Sequence, residues 1–509
     1  MRAYLDPLLH KVRARDPIES RRARIVIVGD SITANGFGAG GAGWVGTITS
    51  NGTTMTMDVG NAELAKMQVG NYVQISKAGQ PVDTPLLGAM RKVLSSSSAS
   101  ITMSAVCGNE VFPAGASASW RGANLQPCNP GWFSWFNLLL GNPFVIAGNY
   151  AIGGYGTDLL PYLTNRIDHG PDFDYLAINI GHNDFAAGLT ATATFANLIA
   201  FIEYYQAKGK RIIVVTPPAW SSTGAGWSTA NAIQNAKYAS LIREYCRTHH
   251  DVGLVDLHRA TVDGTNVNGD FRSGYSVDGV HPYANGLLPA LRDYGNLGEL
   301  KSQMLIRPYP IPMVSALDTS SNAGADNLLT NGAMAGSAGS LPTSWTQLTA
   351  PSGGTITYDA GTARADGFGY DLKVTTAAAT GSPAFYNQFA PALSDQIGNW
   401  FEWGFQFDVD TDPTNVATLG SRLFLNGGGW GGATVYHMRN GSGVAAATAI
   451  PFLDFDDPLD FISQPFYIQA DIAAPTSALM VIDYGFSAAS SGVVRFGQAF
   501  LRQCANPFE

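Results

Sequence analysis

Along its first 300 residues the chain carries continuous apolar runs of β-branched character. Arg24-Ile25-Val26-Ile27-Val28, Tyr175-Leu176-Ala177-Ile178-Asn179-Ile180 and the stretch 252–257 read as strands buried on both faces of a parallel sheet. The stretch from Ala232 to Arg247 reads as a helix. Between about 45 and 122 the pattern changes to short β-type runs at 43–50, 53–59, 72–76 and 100–106, separated by Asn-Gly and Ser-rich turns. Beyond about 322, runs such as 401–409 and 493–501 alternate apolar and polar positions, as strands of a sandwich do. The pattern therefore divides the chain into an α/β unit (1–45 and 122–306), an inserted small β domain (46–121), an extended proline-rich linker (307–321) around Arg307-Pro308-Tyr309-Pro310-Ile311-Pro312, and a β-sandwich (322–509). The insertion accounts for the distance from Ser31 to Gly154, several times the roughly 30 residues that one strand–helix–strand passage needs.

Three polar runs carry candidate chemistry. Gly29-Asp30-Ser31 follows the first apolar run and brings Ser31 to the C-terminal edge of the sheet, where open α/β folds bind ligands. Gly181-His182-Asn183-Asp184 follows the second and brings Asn183 to the same edge. Asp278-Gly279-Val280-His281 supplies a histidine with an aspartate three residues before it and Pro282 after it. Each run alone has a plain structural reading, as a turn, a helix cap or a surface histidine. Together they fit a serine esterase site. A serine hydroxyl needs a base to take its proton, the role of His281, and the base needs a group on its other nitrogen, the role of Asp278. The oxyanion calls for fixed donors: the Ser31 N–H, the Asn183 amide and a glycine N–H from another loop.

These blocks resemble the SGNH (GDSL-type) hydrolases. The first reads Gly29-Asp30-Ser31-Ile32-Thr33, with Ile-Thr in place of leucine, the third Gly181-His182-Asn183-Asp184 and the last Asp278-Gly279-Val280-His281-Pro282. The glycine block fits Asn149-Tyr150-Ala151-Ile152-Gly153-Gly154, with Gly154 assigned as the donor and Gly153 as the neighbour that would shift the register. The resemblance covers about 22–45 and 130–300. It implies a three-layer α/β/α fold, with Asp30, His182 and Asp184 supporting the site. Members with similar blocks are often carbohydrate O-acetyl esterases, while others are lipases or thioesterases. The opening of the last region, Asn327-Leu328-Leu329-Thr330-Asn331-Gly332, is similar to jelly-roll carbohydrate-binding modules. Trp403 and Trp430, with Trp345 and Trp400, are the aromatic residues there that would stack on sugar rings if they are not core residues.

The remaining reactive groups are weaker candidates. His258, in Asp256-Leu257-His258, is the rival base, placed by the apolar pattern at a strand end; His249 and His250 close the helical stretch. No His-Glu-x-x-His or clustered Cys/His set is present, so neither a metal nor another cofactor is expected. Composition narrows the partners. A net charge of −9 with charged residues at only 14% argues against nucleic acid, and no apolar stretch approaches membrane-spanning length. The four cysteines, Cys107, Cys128, Cys246 and Cys504, lack metal spacing; a bridge between Cys107 and Cys128 is one option. The expected partner is an acylated carbohydrate or polysaccharide. The expected site of action is extracellular, secreted or virion-associated, although no secretion signal is legible at the N-terminus. The alternatives are an SGNH-type lipase or aryl-esterase, and a virion tail or receptor-binding protein that uses the hydrolase fold.

Overall fold

A computed structural model describes residues 22–34, six strands between 43 and 122, and residues 131–507 apart from 169, 310, 313, 315–326, 390–398, 427–432, 439–457 and 468–476. The first apolar run forms β1 (Ala23–Gly29), and Ser31 opens a single helical turn, α1 (Ser31–Ala34). Six strands follow: β2 (Gly43–Ser50), β3 (Thr54–Met57), β4 (Tyr72–Ser76), β5 (Met90–Ser96), β6 (Ser100–Met103) and β7 (Ser117–Gly122). They close into a barrel in the order β2-β3-β6-β5-β4-β7. Its first and last strands pair from Gly43 opposite Arg121, so the two ends of the barrel lie side by side. Strands β5 and β7 were not evident in the apolar runs.

The α/β unit resumes with α2 (Trp132–Leu139), β8 (Phe144–Asn149), α3 (Leu160–Asp168), β9 (Tyr175–Asn179), α4 (His182–Ala186), α5 (Ala191–Ala207) and β10 (Arg211–Val215). It ends with α6 (Thr229–Thr248), β11 (Val252–Val255), α7 (Leu257–Thr261), α8 (Ala284–Tyr294) and α9 (Leu297–Gln303). The five strands form one parallel sheet in the order β11-β10-β9-β1-β8. Successive strand residues face opposite sides. Ile25 and Ile27 therefore pack with Trp132 and Phe136 of α2 and Leu287 and Leu291 of α8. Val26 and Val28 pack with Leu163 of α3, Ile202 of α5 and Ile242 of α6. This is the three-layer α/β/α arrangement.

One boundary differs from the apolar pattern. The run 252–257 is strand only to Val255, because the Asp256 side chain accepts the Arg259 N–H and caps α7. His258 thus lies in a helix and not at a strand end.

The described strands beyond residue 327 are antiparallel and organised on one 28-residue strand, Ser477–Cys504. Its first part pairs with Ala384–Phe389 and Val416–Asn426, and its second part with Tyr370–Gly381 and Trp400–Thr411. The core of this unit corrects the reading of Trp403 as a sugar platform. Trp403 is 0% exposed and its indole N–H donates to Ser421 Oγ at 3.0 Å, so it is a core residue. Trp345 and Trp400 are also buried, and Trp430 lies outside the described residues.

The proline-rich stretch is not a free tether. Pro308 lies against Gly141, the Tyr309 N–H donates to the Gly141 carbonyl at 2.7 Å, and the Tyr309 hydroxyl donates to Glu402 Oε1 at 2.8 Å. Glu402 also accepts from Arg22 (2.5 Å) and Arg502 (2.6 Å), which ties the first described residue to the β unit. Trp135 of α2 stands 5.3 Å from His437, whose ring lies 4.6 Å from Phe461. The apolar core runs without a break from the sheet into the sandwich. Cys107 and Cys128 lie outside the described residues; Cys246 and Cys504 are free thiols.

Candidate active site

The turn after β1 has no room for side chains at its start. A Cβ on Gly29 would collide with the Thr33 hydroxyl and the Asn179 carbonyl, so glycine permits the tight passage from β1 into α1. The Asp30 N–H bonds the Asn179 carbonyl at 3.3 Å, and Asp30 Oδ1 accepts the Ile32 N–H at 3.0 Å. Ser31 is the half-buried residue between these anchors.

His281 reaches the same point from the other end of the α/β unit. Its Nε2 lies 2.8 Å from Ser31 Oγ and its Nδ1 lies 2.9 Å from Asp278 Oδ2. The other oxygen of Asp278 accepts the backbone N–H groups of His281 (2.8 Å) and Val280 (2.9 Å). Burial opposes the charge on Asp278, but these backbone donors and the imidazole outweigh it and hold the carboxyl below the usual range. Two glycines brace the loop. Gly279 has φ +81°, and a Cβ there would fall 2.5 Å from the Gly224 nitrogen; a Cβ on Gly224 would fall 2.6 Å from the Gly279 carbonyl oxygen. The Ser221 N–H bonds that same carbonyl at 2.8 Å. The loop after β10 thus holds the histidine loop in place. Its position after the C-terminal end of a strand was the available signal for Gly224, which the motif blocks do not contain.

The third run begins at Gly181, whose φ of +131° and contact with the Tyr238 ring exclude a side chain. Asn183 donates one amide hydrogen to the Tyr155 carbonyl at 2.9 Å. An amide has a second hydrogen, and this one is not used by the Tyr155 bond. In the glycine block, the Ile152 N–H continues the strand pattern by bonding the Gly29 carbonyl at 2.9 Å. A Cβ on Gly153 would lie 3.7 Å from Ser31 Cβ, whereas one on Gly154, at φ +84°, would meet nothing within 4 Å. Gly153 is therefore the glycine whose Cβ side faces Ser31, and Gly154 is the open position beside it.

Beneath these groups lies a buried polar layer. Asp184 accepts the Thr157 N–H at 2.9 Å and the Thr157 hydroxyl; burial lifts its carboxyl above the usual range. Asp30 is buried, and burial, with Asp184 nearby, pushes its carboxyl up to about 7 against the pull of the Ile32 N–H. His182 is buried edge-on to Trp220 at 4.9 Å, and burial pushes its imidazole down to about 3. Thr157, Trp220 and Tyr238 belong to this layer although no motif spacing marks them. His258 faces the Arg243 guanidinium at 3.4 Å; burial and that cation hold its imidazole down to about 4. Its partners are Arg243 and Thr216, and the residue that meets Ser31 is His281. Among the described residues no cluster of His, Cys, Asp and Glu is arranged to hold a metal ion.

A parallel α/β sheet with a serine–histidine–aspartate chain of hydrogen bonds at its C-terminal edge defines the class: a hydrolase. Residues 114–287 match the GDSL-like Lipase/Acylhydrolase family, and the α/β unit of this chain is a domain of that SGNH type. The match begins near the end of the inserted barrel, so it includes His281 while Ser31 precedes it. No curated protein matches the sequence. Similar solved structures include an acetylxylan esterase mutant from Geobacillus stearothermophilus (12% identity, 58% of this chain and 99% of that one, TM-score 0.30). A carbohydrate acetylesterase family member from Sinorhizobium meliloti shares 18% identity over 34% of this chain and 87% of its own, with TM-score 0.28. A GDSL-like lipase from Bacteroides thetaiotaomicron shares 18% over 34% and 82%, with TM-score 0.27. Likenesses this distant carry no argument about substrate. Among the described residues, no helix is long and apolar enough to cross a membrane.

Proposed function

We propose that the chain is a serine esterase that removes O-acetyl groups from a carbohydrate or polysaccharide. The observation that carries this reading is the unbroken chain from Ser31 Oγ through the His281 ring to Asp278. His281 Nε2 takes the Ser31 proton as Oγ attacks the ester carbonyl, and Asp278 holds the Nδ1–H tautomer and the imidazolium that forms. The oxyanion is met by the Ser31 N–H, the free hydrogen of the Asn183 amide and an N–H of the Gly153–Gly154 turn. Collapse of the intermediate breaks the bond to the sugar oxygen, which takes His281's proton and leaves as a hydroxyl, with an acetyl-enzyme on Ser31. Water activated by His281 then releases acetate and restores the serine. Gly-Asp-Ser-Ile-Thr together with Gly-His-Asn-Asp supports the carbohydrate acetyl branch of the family, and the β unit is the part that would hold the polymer. Such a substrate implies action outside the cell, as a secreted or virion-associated protein. The test is a panel of acetylated oligosaccharides and long-chain fatty esters assayed with the wild-type chain and Ser31→Ala. Acetate release lost in Ser31→Ala supports the reading; fatty-acid release with no acetate release makes the chain a lipase instead.

A further inference from the structure

The described part of the β unit contains a cavity of about 250 Å³ lined by Arg364, Asp366, Asp371, Gln406, Asp408 and Arg495. Its wall is mixed, polar and apolar in about equal parts, and both of its arginines are paired with carboxylates. Arg364 donates to Asp366 (2.7 Å) and Asp371 (2.7 Å), and Arg495 pairs with Asp410 (2.7 Å). Gly497 lies on its floor, where a Cβ would fall 2.6 Å from Asp371 Oδ1 and 2.7 Å from Arg364 Nη1. Gln406 donates its Nε2 to Asp460 at 2.9 Å, while its buried Oε1 has no hydrogen-bond partner among the described residues. Two residues along the turn from Asp366, Phe368 is 43% exposed. Its backbone is held at both ends, the N–H by Asp366 at 2.9 Å and the carbonyl by Gln498 at 2.6 Å.

We infer that this cavity binds a neutral sugar unit, with Phe368 as the flanking aromatic surface. The inference deepens the reading of the chain as a carbohydrate esterase and rests on it for the ligand class. The choice of ligand follows from the wall. An anion would meet arginines already committed to carboxylates, and three aspartates line the cavity against two arginines. A wholly apolar ligand would suit the apolar half of the wall but strip water from the polar half without replacing its hydrogen bonds. A sugar brings hydroxyls that both donate and accept: they can donate to Asp366 and Asp408 and accept from Arg495. Its apolar ring face suits an exposed phenyl ring. The cavity is also linked to the hydrolase, because Asp460, the partner of Gln406, accepts the Asn142 amide through its backbone carbonyl at 2.5 Å.

The test is calorimetric titration of the full chain, wild type, Phe368→Ala and Asp408→Asn, with acetylated and deacetylated xylo- and chito-oligosaccharides. Loss of charge-assisted or stacking contacts should weaken binding by roughly tenfold or more, with unchanged melting temperature and unchanged turnover of a small acetate ester. Phe368→Ala decides the matter if Asp408→Asn is unstable. Binding equal to wild type in both variants, or a wild-type chain that binds no member of the panel, overturns the inference. Either result leaves the esterase reading standing if acetate is still released through Ser31. Binding lost in the variants of a chain that releases no acetate would uphold the cavity and overturn the acetyl-esterase reading.

Discussion

Replacing Asp278 by asparagine is the sharpest probe of the site, because the geometry sets both its direction and its size. Asp278 Oδ1 is occupied by the backbone N–H groups of His281 and Val280, so in Asp278→Asn the oxygen stays there and the new NH₂ faces Nδ1. The ring must then accept at Nδ1 and carry its proton on Nε2, where it donates toward Ser31 and cannot act as a base. Where such an aspartate is buried, the wrong tautomer costs turnover by about 10⁴. Here the Asp278 side chain is 50% exposed, so water competes for Nδ1 and softens the preference. The lower bound is the loss of one charge-assisted hydrogen bond, about 1.5–3 kcal/mol, or roughly 10- to 160-fold in rate. Between these bounds we expect kcat/KM on a nitrophenyl acetate to fall about 100- to 1,000-fold. Asp278→Ala should fall less, because water replaces the carboxylate without dictating the tautomer. The loop survives that change, since Val277 still donates to the His281 carbonyl and Ser221 to the Gly279 carbonyl. Asp278→Asn within threefold of wild type, or Asp278→Ala clearly worse than Asp278→Asn, would refute the tautomer argument (threefold being about 0.6 kcal/mol, below any charge-assisted bond).

Glu402→Gln should loosen the seam between hydrolase and β unit, because it leaves the Arg22 and Arg502 guanidiniums without their anion. Breaking a buried pair costs about 3–5 kcal/mol, which is roughly 6–20 °C in melting temperature at about 2–4 °C per kcal/mol; a loss under a few degrees in a circular-dichroism melt would show the pair to be incidental. Burial opposes the Glu402 charge, but Arg22 and Arg502 outweigh it and hold the carboxyl below its usual range, so this stabilisation is present at neutral pH and lost as pH falls through that lowered value. Asp30 has the opposite sign. With its carboxyl raised from 3.8 to about 7 in the fold, the folded state keeps a proton that the unfolded chain gives up, and stability falls as pH rises across that window. Melting temperatures of wild type and Asp30→Asn should therefore diverge between about pH 4 and 7, with wild type declining relative to the variant; parallel curves would remove Asp30 as the cause.

How much of this was legible in the sequence depends on the range of the interactions. The Asp278–His281 pair is local: a turn of four residues with glycine at its left-handed position brings the carboxylate to the ring, and the motif carries that geometry with it. Ser31 was legible because an apolar run must end where the sheet ends. His258 was misplaced because apolar character runs through Leu257, while the event that ends the strand is a side-chain cap made by Asp256. Trp403 was offered as a surface aromatic because alternation along a strand shows two faces without saying which one is covered. That Gly153, and not Gly154, has its Cβ side within a few ångströms of Ser31 is a feature of the turn that no spacing encodes. The seam was invisible for the same reason on a larger scale, since Arg22 and Glu402 are 380 positions apart.

That seam explains how the site tolerates a barrel in the middle of its framework. Strands β1 and β8 are neighbours in the sheet, yet the chain makes the whole insertion between them. Closing a longer loop adds little entropy cost, because the penalty grows only with the logarithm of its length, and here the two ends of the insertion already pair. The greater hazard is β8 itself, the sheet's edge strand, whose outer backbone groups would otherwise lack partners. Gln464 of the β unit covers two of them. Its Oε1 accepts the Ile146 N–H at 2.8 Å and its Nε2 donates to the Phe144 carbonyl at 3.1 Å, as an adjoining strand would. The β unit therefore caps two backbone groups at the open edge of the hydrolase sheet. Strand β8 in turn pairs with β1, the strand that leads to Ser31, and the apolar core spans both units, so they are parts of one folded framework whatever the β unit binds.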